Sequence, residues 1–215
     1  MNLFLLILYA EVLTAIIGSI FYKKYNSSFL KYFLYLLWFV VAVELTILGF
    51  KNAGIRFQNN FIYNIVTTIQ YVYFFLLYIR TMKTPRYKKW VRYMFIIFLV
   101  SITINFTWIQ KLGPEAIFHS HTFVIGAILL IISISLFLVE ILNSEKVLYF
   151  QRYLSFWISI GLFIYYTGII PYTLGLNFFT TLLSTDSLSV IFFALNMAMY
   201  SCFITGFILS KKYTD

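Results

Sequence analysis

Three carboxylates stand inside long apolar runs: Glu11 in LYAEVLTAI, Glu44 in VVAVELTILGF and Glu140 in SLFLVEIL. A carboxylate near the centre of a membrane-spanning helix costs about 2.5–3.5 kcal/mol on insertion scales, so such a group faces a cavity or a partner. Glu11 and Glu44 are therefore candidates for moving a proton or holding a cation, or for tying helices together through a protonated carboxyl. Glu140 lies near the end of its run, where water or a lysine reaches it. The stretch FHSHTF holds the only two histidines, His119 and His121. On a helix, residues two apart point about 200° away from each other, so the pair cannot share one metal there. An extended entry would bring them together but would still need a third ligand such as Glu44 or Asp186. No metal is assigned. A histidine titrates near pH 6.5 (about the middle of the physiological range), which leaves pH sensing chemically open.

The elements that hold these residues follow from composition. Of 215 residues, 62% are hydrophobic and only 11% charged, where a soluble domain carries about 25% charged residues. Too little polar surface remains to cover a soluble fold. The polar residues cluster between apolar runs, each with the ~20 residues a spanning helix needs. The runs are 3–22, 32–49, 61–79, 91–108, 116–142, 153–174 and 188–209. Lipid offers no partners to the backbone, which leaves helices or a closed barrel. Stretches such as LLIISISLFLVEIL lack the period-two alternation of a barrel strand. The expected fold is an all-α integral membrane bundle of seven helices forming one domain, with loops too short to hold another. No cleavable signal peptide is evident, since Met1-Asn2 leads straight into apolar sequence without a basic segment.

All Lys and Arg residues except Lys51, Arg56 and Lys111 fall in alternate loops. The positive-inside rule then predicts an outer N-terminus and a cytoplasmic C-terminus, in a multi-pass protein of the cell (inner) membrane. The net charge of +9 is thereby read as topology, and no nucleic-acid partner is expected. The loop from Arg80 to Arg92, RTMKTPRYKKWVR, is basic without an acid; each charge gains about 1 kcal/mol near anionic lipid. Anionic lipid is its expected contact, with a separate cytoplasmic signalling partner as the other. Plotted by depth, Glu44, Asn64, Asn105, His119, His121, Asp186, Tyr165 and Tyr166 share the outer half, with Gln70 and Asn196 nearer the middle. This predicts an outward pocket walled by aromatics, of a kind that suits small amphipathic ligands. Pro171, after Gly168, is placed to kink the sixth segment beside it.

Helices in lipid associate through small residues and polar contacts. Ala194, Ala198, Cys202 and Gly206 form a four-residue ridge, and Gly161, Gly168 and Gly175 recur every seven residues. Glu11, Thr14 and Gly18 stack on the first segment, Asn60, Asn64, Thr67 and Tyr71 on the third, and His119, Thr122, Gly126, Ser133 and Glu140 on the fifth. These stripes are expected to face inward.

Several functions lack their residues. No Lys occurs in 188–209 to hold retinal, and no Pro-Gln dipeptide marks a sugar transporter of the PQ-loop type. No HExxH metalloprotease motif is present, and the lone Cys202 excludes an internal disulfide and a cysteine metal cluster. No catalytic set and no cofactor is assigned. The segments NNFIYNIVTTIQYVYFFLLY, SFWISIGLFIYYTGIIP and FFALNMAMYSCFITGFILSKK resemble small bacterial seven-transmembrane-helix proteins, found alone or beside sensor histidine kinases. The resemblance covers most of the chain, fixes no binding residue, and implies that any kinase is a separate partner, since the chain stops at Asp215. The resulting expectation is a non-enzymatic receptor or sensor component. It binds a small or lipid-like ligand with Glu44, Asn64, Asn105, His119, Tyr165 and Asn196. The alternatives are a small transporter coupled to protons or a cation through Glu11 and Glu44, and a membrane lipid-modifying enzyme using His119, His121 and an acid.

Overall fold

A backbone that enters lipid must satisfy its own N–H and C=O groups, and every apolar run does so as a helix. The computed structural model of the chain describes residues 3–55, 59–111, 118–178 and 185–211. Its helices are α1 (Leu3–Ile20), α2 (Lys31–Asn52), α3 (Asn59–Thr81), α4 (Pro85–Ile104), α5 (Ser120–Leu142), α6 (Leu154–Phe178) and α7 (Thr185–Leu209). All seven of these stretches are long and apolar enough to cross a membrane, the fourth when counted to Ile109. No strand occurs among the described residues. The protein is a multi-pass, all-helical membrane protein. Hydroxyls inside the helices find an acceptor on their own helix. Thr14, Ser133, Ser159 and Thr173 each donate to the carbonyl four residues earlier, so a polar side chain enters lipid at little cost.

The boundaries differ from the hydropathy reading by up to six residues, and α5 starts only at Ser120, four residues after its apolar run begins; two differences involve a proline. Helix α4 begins at Pro85, six residues before the apolar run. Thr84 precedes it in extended conformation and Pro85 occupies the first turn, where its fixed φ suits the helix and its missing N–H has no intrahelical partner anyway. The charged residues of that turn hide it from hydropathy. Helix α6 continues through Pro171 to Phe178, so the proline interrupts one hydrogen bond without ending the helix.

The chain packs as two units. The first comprises Met1–Trp38 with Ile134–Asp215, the second Phe39–Ser133. In the first unit α7 packs on α6 and on α1. A Cβ placed on Gly206 would lie 2.6 Å from Trp157 Cβ, and one on Gly161 would lie 2.9 Å from the Phe203 ring and 3.0 Å from the Met199 carbonyl. These glycines let the two backbones approach. The predicted ridge on α7 closes only at its end: Ala194 is exposed, Ala198 and Cys202 are half-buried, and Gly206 is buried. At the same end Phe33 meets Phe203 edge-on at 5.0 Å, and Tyr25 lies 5.5 Å from Phe207. Lys24 Nζ donates to the carbonyls of Phe207 at 3.0 Å and Ile208 at 2.8 Å. It places a cation on the last turn of α7, where carbonyls lack helical partners and the dipole is negative. Burial pulls the Lys24 ammonium below the ordinary lysine value.

In the second unit α3 packs on α4, around Tyr71, Phe75 and Phe98. Phe98 lies 5.2 Å from Tyr71 and 5.6 Å from Phe75. Gly126 on α5 admits them: a Cβ there would stand 3.0 Å from both Tyr71 and Phe98. Of the stripes predicted to face inward, Asn64 and Tyr71 are buried, Thr67 is half-buried and Asn60 is exposed; on α5, Thr122, Gly126 and Ser133 are buried.

Candidate functional site: a polar recess in the second unit

Where α3 begins, α4 ends and α5 begins, the apolar packing of the second unit gives way to polar side chains. The end of α4 is the unusual element. It passes into a π-helical turn, Asn105–Ile109, a geometry that recurs at functional sites. The backbone N–H groups of Gln110 and Lys111 both donate to the Asn105 carbonyl, at 3.1 and 3.2 Å. The Asn105 side chain adds Nδ2 to Gln110 Oε1 at 3.1 Å. Lys111 then adopts φ 39°, in the left-handed region that a non-glycine residue seldom occupies. The turn carries Phe106, whose ring lies 5.1 Å from the His119 imidazole at 60°.

His119 directly precedes α5, where backbone N–H groups have no helical acceptor. Asn64 supplies one: its Oδ1 accepts from the His119 backbone N–H at 2.9 Å. Two turns along α3, the Tyr71 hydroxyl donates to the Phe123 carbonyl at 2.9 Å. These two bonds tie α3 to the start of α5. The Thr68 hydroxyl is used locally, on the Asn64 carbonyl at 2.7 Å.

A recess of about 240 Å³, its open mouth included, lies between these groups. Asn64, Thr67, Thr68 and Tyr71 line it from α3, Phe98, Ile102 and Phe106 from α4 and its turn, and Phe118, His119, Thr122 and Phe123 from the start of α5. Its enclosed part admits a group about the size of a water molecule. His119 is 3% exposed and Thr122 5%. Yet His119 Nδ1 and Nε2, Thr122 Oγ1 and, on the neighbouring turn, Asn105 Oδ1 make no hydrogen bond with the described protein. Buried polar atoms are ordinarily paired, and four unpaired in one place ask for a partner. Burial holds the His119 imidazole below its ordinary value. The nearby backbone of Lys111 and Gln110 acts the other way but falls short of hydrogen-bond geometry.

The residues singled out by depth are only partly brought together. Asn64 and His119 line the recess. Asn105 does not line it and instead organises the turn that presents Phe106. Glu44 is half-buried elsewhere in this unit, its carboxylate accepting from the Tyr63 hydroxyl at 3.1 Å. Glu11, Tyr165 and Asn196 belong to the first unit. There Glu11 is buried on α1, Asn196 Nδ2 donates to the Phe192 carbonyl at 2.8 Å, and Tyr165 meets Tyr166 edge-on at 5.3 Å. His121 is exposed, opposite to His119 as the two-residue spacing requires. The side chain of Asp186 lies outside the described residues.

Thr122 was absent from the candidate binding set, although its place three residues after His119, on one helix face, marks it. Nothing in the sequence announces the π-helical turn. Among the described residues no three His, Cys, Asp or Glu side chains are grouped for a metal. Compared with known proteins, the chain matches no family model, no curated sequence and no solved structure.

Proposed function

We propose that the protein is a non-enzymatic membrane receptor or sensor component whose ligand enters the recess at Asn64, His119 and Thr122. The observation that carries this reading is the set of unpaired buried polar atoms on His119 and Thr122, beside an opening walled by aromatic rings. With the positive-inside orientation, the recess opens toward the outer face, and the basic segment from Arg80 to Arg92 lies on the cytoplasmic face. Helices α3 and α4 connect the two. A ligand that draws His119 toward Phe106 would shift the end of α4 and thereby the basic loop that precedes it, against which anionic lipid or a separate signalling protein docks. Glu44, Tyr165 and Asn196 then serve packing or tuning.

Native mass spectrometry of the detergent-purified protein tests this. The expected result is a bound molecule of defined mass that is lost in His119→Ala while the variant elutes as folded protein. Retention of the same molecule by His119→Ala, or bulk lipid alone on both proteins, overturns it.

A proton- or cation-coupled transporter is the second reading, favoured by the burial of Glu11, 3% exposed within an apolar helix, and by the Glu44–Tyr63 hydrogen bond. Solute flux into proteoliposomes that requires a proton gradient and disappears in Glu44→Gln would replace the first reading with this one.

A further inference from the structure

The chemistry of the recess narrows what it can take. We infer that it seats a single neutral hydroxyl group at the tip of an apolar body, as in a long-chain or cyclic alcohol, and that it discriminates against ions. This rests on the reading of the recess as the binding site.

Charge comes first. Among the described residues that line the recess there is no Lys, Arg, Asp or Glu. An ammonium or carboxylate placed there would leave water without a counter-charge, which is the costliest form of polar burial. Hydrogen-bonding pattern comes second. A neutral imidazole has one donor nitrogen and one acceptor nitrogen, and the Thr122 hydroxyl both donates and accepts. All three atoms are buried and unpaired. A hydroxyl also donates and accepts, so it satisfies a donor and an acceptor at once. An ammonium only donates and so strands the imidazole N–H; a carboxylate only accepts and so strands the imidazole acceptor nitrogen. An ether accepts but cannot donate.

Size and walls complete the argument. The enclosed part admits a group of about water's size, which a hydroxyl matches and a phosphate or a sugar exceeds. Around it stand Ile102, Phe106, Phe118 and Phe123, which offer apolar contact to whatever carries the hydroxyl. Asn64 takes no direct part: its Oδ1 is committed to the His119 backbone, so it positions the imidazole rather than the ligand.

The test uses the full chain in phosphatidylcholine nanodiscs and a diazirine-bearing long-chain alcohol, with labelled peptides mapped by mass spectrometry. The competitors are 1-dodecanol, dodecyl methyl ether, dodecylamine and dodecanoate. Labelling is expected at 118–123, displaced by dodecanol, with the other three about ten-fold weaker because each leaves a buried group unpaired. Thr122→Val, which keeps the side chain's shape, is expected to weaken dodecanol about five-fold, while Thr122→Ser retains wild-type competition and reports an intact fold. If dodecylamine or dodecanoate competes as well as dodecanol, the neutral-hydroxyl assignment falls while the recess survives as a site. If label spreads evenly over lipid-facing helices and is indifferent to Thr122→Val, both this inference and the receptor reading fall.

Discussion

The seam between α6 and α7 and the recess between α3, α4 and α5 face the same difficulty, polar side chains inside an apolar bundle, and meet it in opposite ways. Along the seam the polar groups turn back on their own helices. Ser159 bonds the Ser155 carbonyl, Thr173 the Ile169 carbonyl and Asn196 the Phe192 carbonyl. Beside these local bonds, glycines let the two helices approach, and Tyr172 stacks on Phe192 at 5.6 Å. In the recess the polar groups reach across: Asn64 to the start of α5, and Tyr71 to the Phe123 carbonyl. A crossing bond needs helices held at a set distance, and bulky Phe98, Phe106 and Phe123 hold them there. At Gly206 and Gly161 the seam has no room even for a methyl group, whereas the recess has both space and unpaired polar atoms. Where helices only pack, a bond within the helix is enough for a polar group; unpaired buried donors and acceptors beside a recess can in addition take a partner.

The largest effect that would break this contrast is steric. Gly206→Leu drives a side chain into Trp157 Cβ, 2.6 Å from where its own Cβ must sit. Because Trp157 Cβ is tied to its backbone, the helices must separate. A loss of about 2–3 kcal/mol is expected, read as a lower midpoint in thermal unfolding followed by tryptophan fluorescence. An unchanged midpoint would mean that the seam is loose and the contrast false. Asn64→Leu ranks next. It leaves the His119 N–H buried without its acceptor, for about 1–2 kcal/mol. It should also free the start of α5, seen as faster hydrogen exchange at 119–123 with no change along α6 and α7. Tyr71→Phe is milder, since it removes one crossing bond but keeps the ring against Phe98. About 0.6 kcal/mol is expected, the usual size of an interhelical hydrogen bond in a membrane protein. A loss equal to that of Asn64→Leu would show that the crossing bonds act as one network.

Hydropathy made the seven helices legible because lipid permits so few backbone solutions. It missed the start of α4, since Arg86, Tyr87, Lys88 and Lys89 form helix at the level where charge is tolerated, and hydropathy reads that turn as loop. Depth along the helices put Asn64 and His119 at one level, and they do meet. Depth put Tyr165 there too, yet it lies in the other unit. The reason is physical: hydropathy measures position along the membrane normal and carries no information on which helices are neighbours. Small-residue patterns partly supply that information, as Gly206 and Gly161 do for α6 and α7. Where aromatic rings set the spacing instead, as around Phe98, no pattern of small residues marks the contact. The π-helical turn at Asn105 is hidden for another reason: it arises from backbone bonds that skip one residue more than in an α-helix, as from Gln110 N–H to the Asn105 carbonyl, which no residue type specifies.

The smallest expected effect concerns the two histidines, and it tests the recess most narrowly. His119 is buried with its imidazole held below the ordinary value, while in the unfolded chain it titrates near pH 6.5 (about). Between these two values the unfolded chain binds a proton that the folded one refuses, so stability falls as pH is lowered through that window and levels off below it. At neutral pH and above, both states hold a neutral ring and the term vanishes. His119→Gln removes the titration while retaining a donor and an acceptor, so its unfolding midpoint should vary less than that of the wild type as the pH is lowered from neutral through the ordinary histidine range. His121 faces outward, and His121→Ala should change stability by no more than about 0.5 kcal/mol. An alcohol bound in the recess must extend the same fall in stability to lower pH in the wild type, because an imidazole nitrogen that accepts from a ligand hydroxyl is a poorer proton acceptor and its folded value drops further. If ligand and His119→Gln act on the profile independently, the ligand does not touch the ring, and the recess loses the group that defines it.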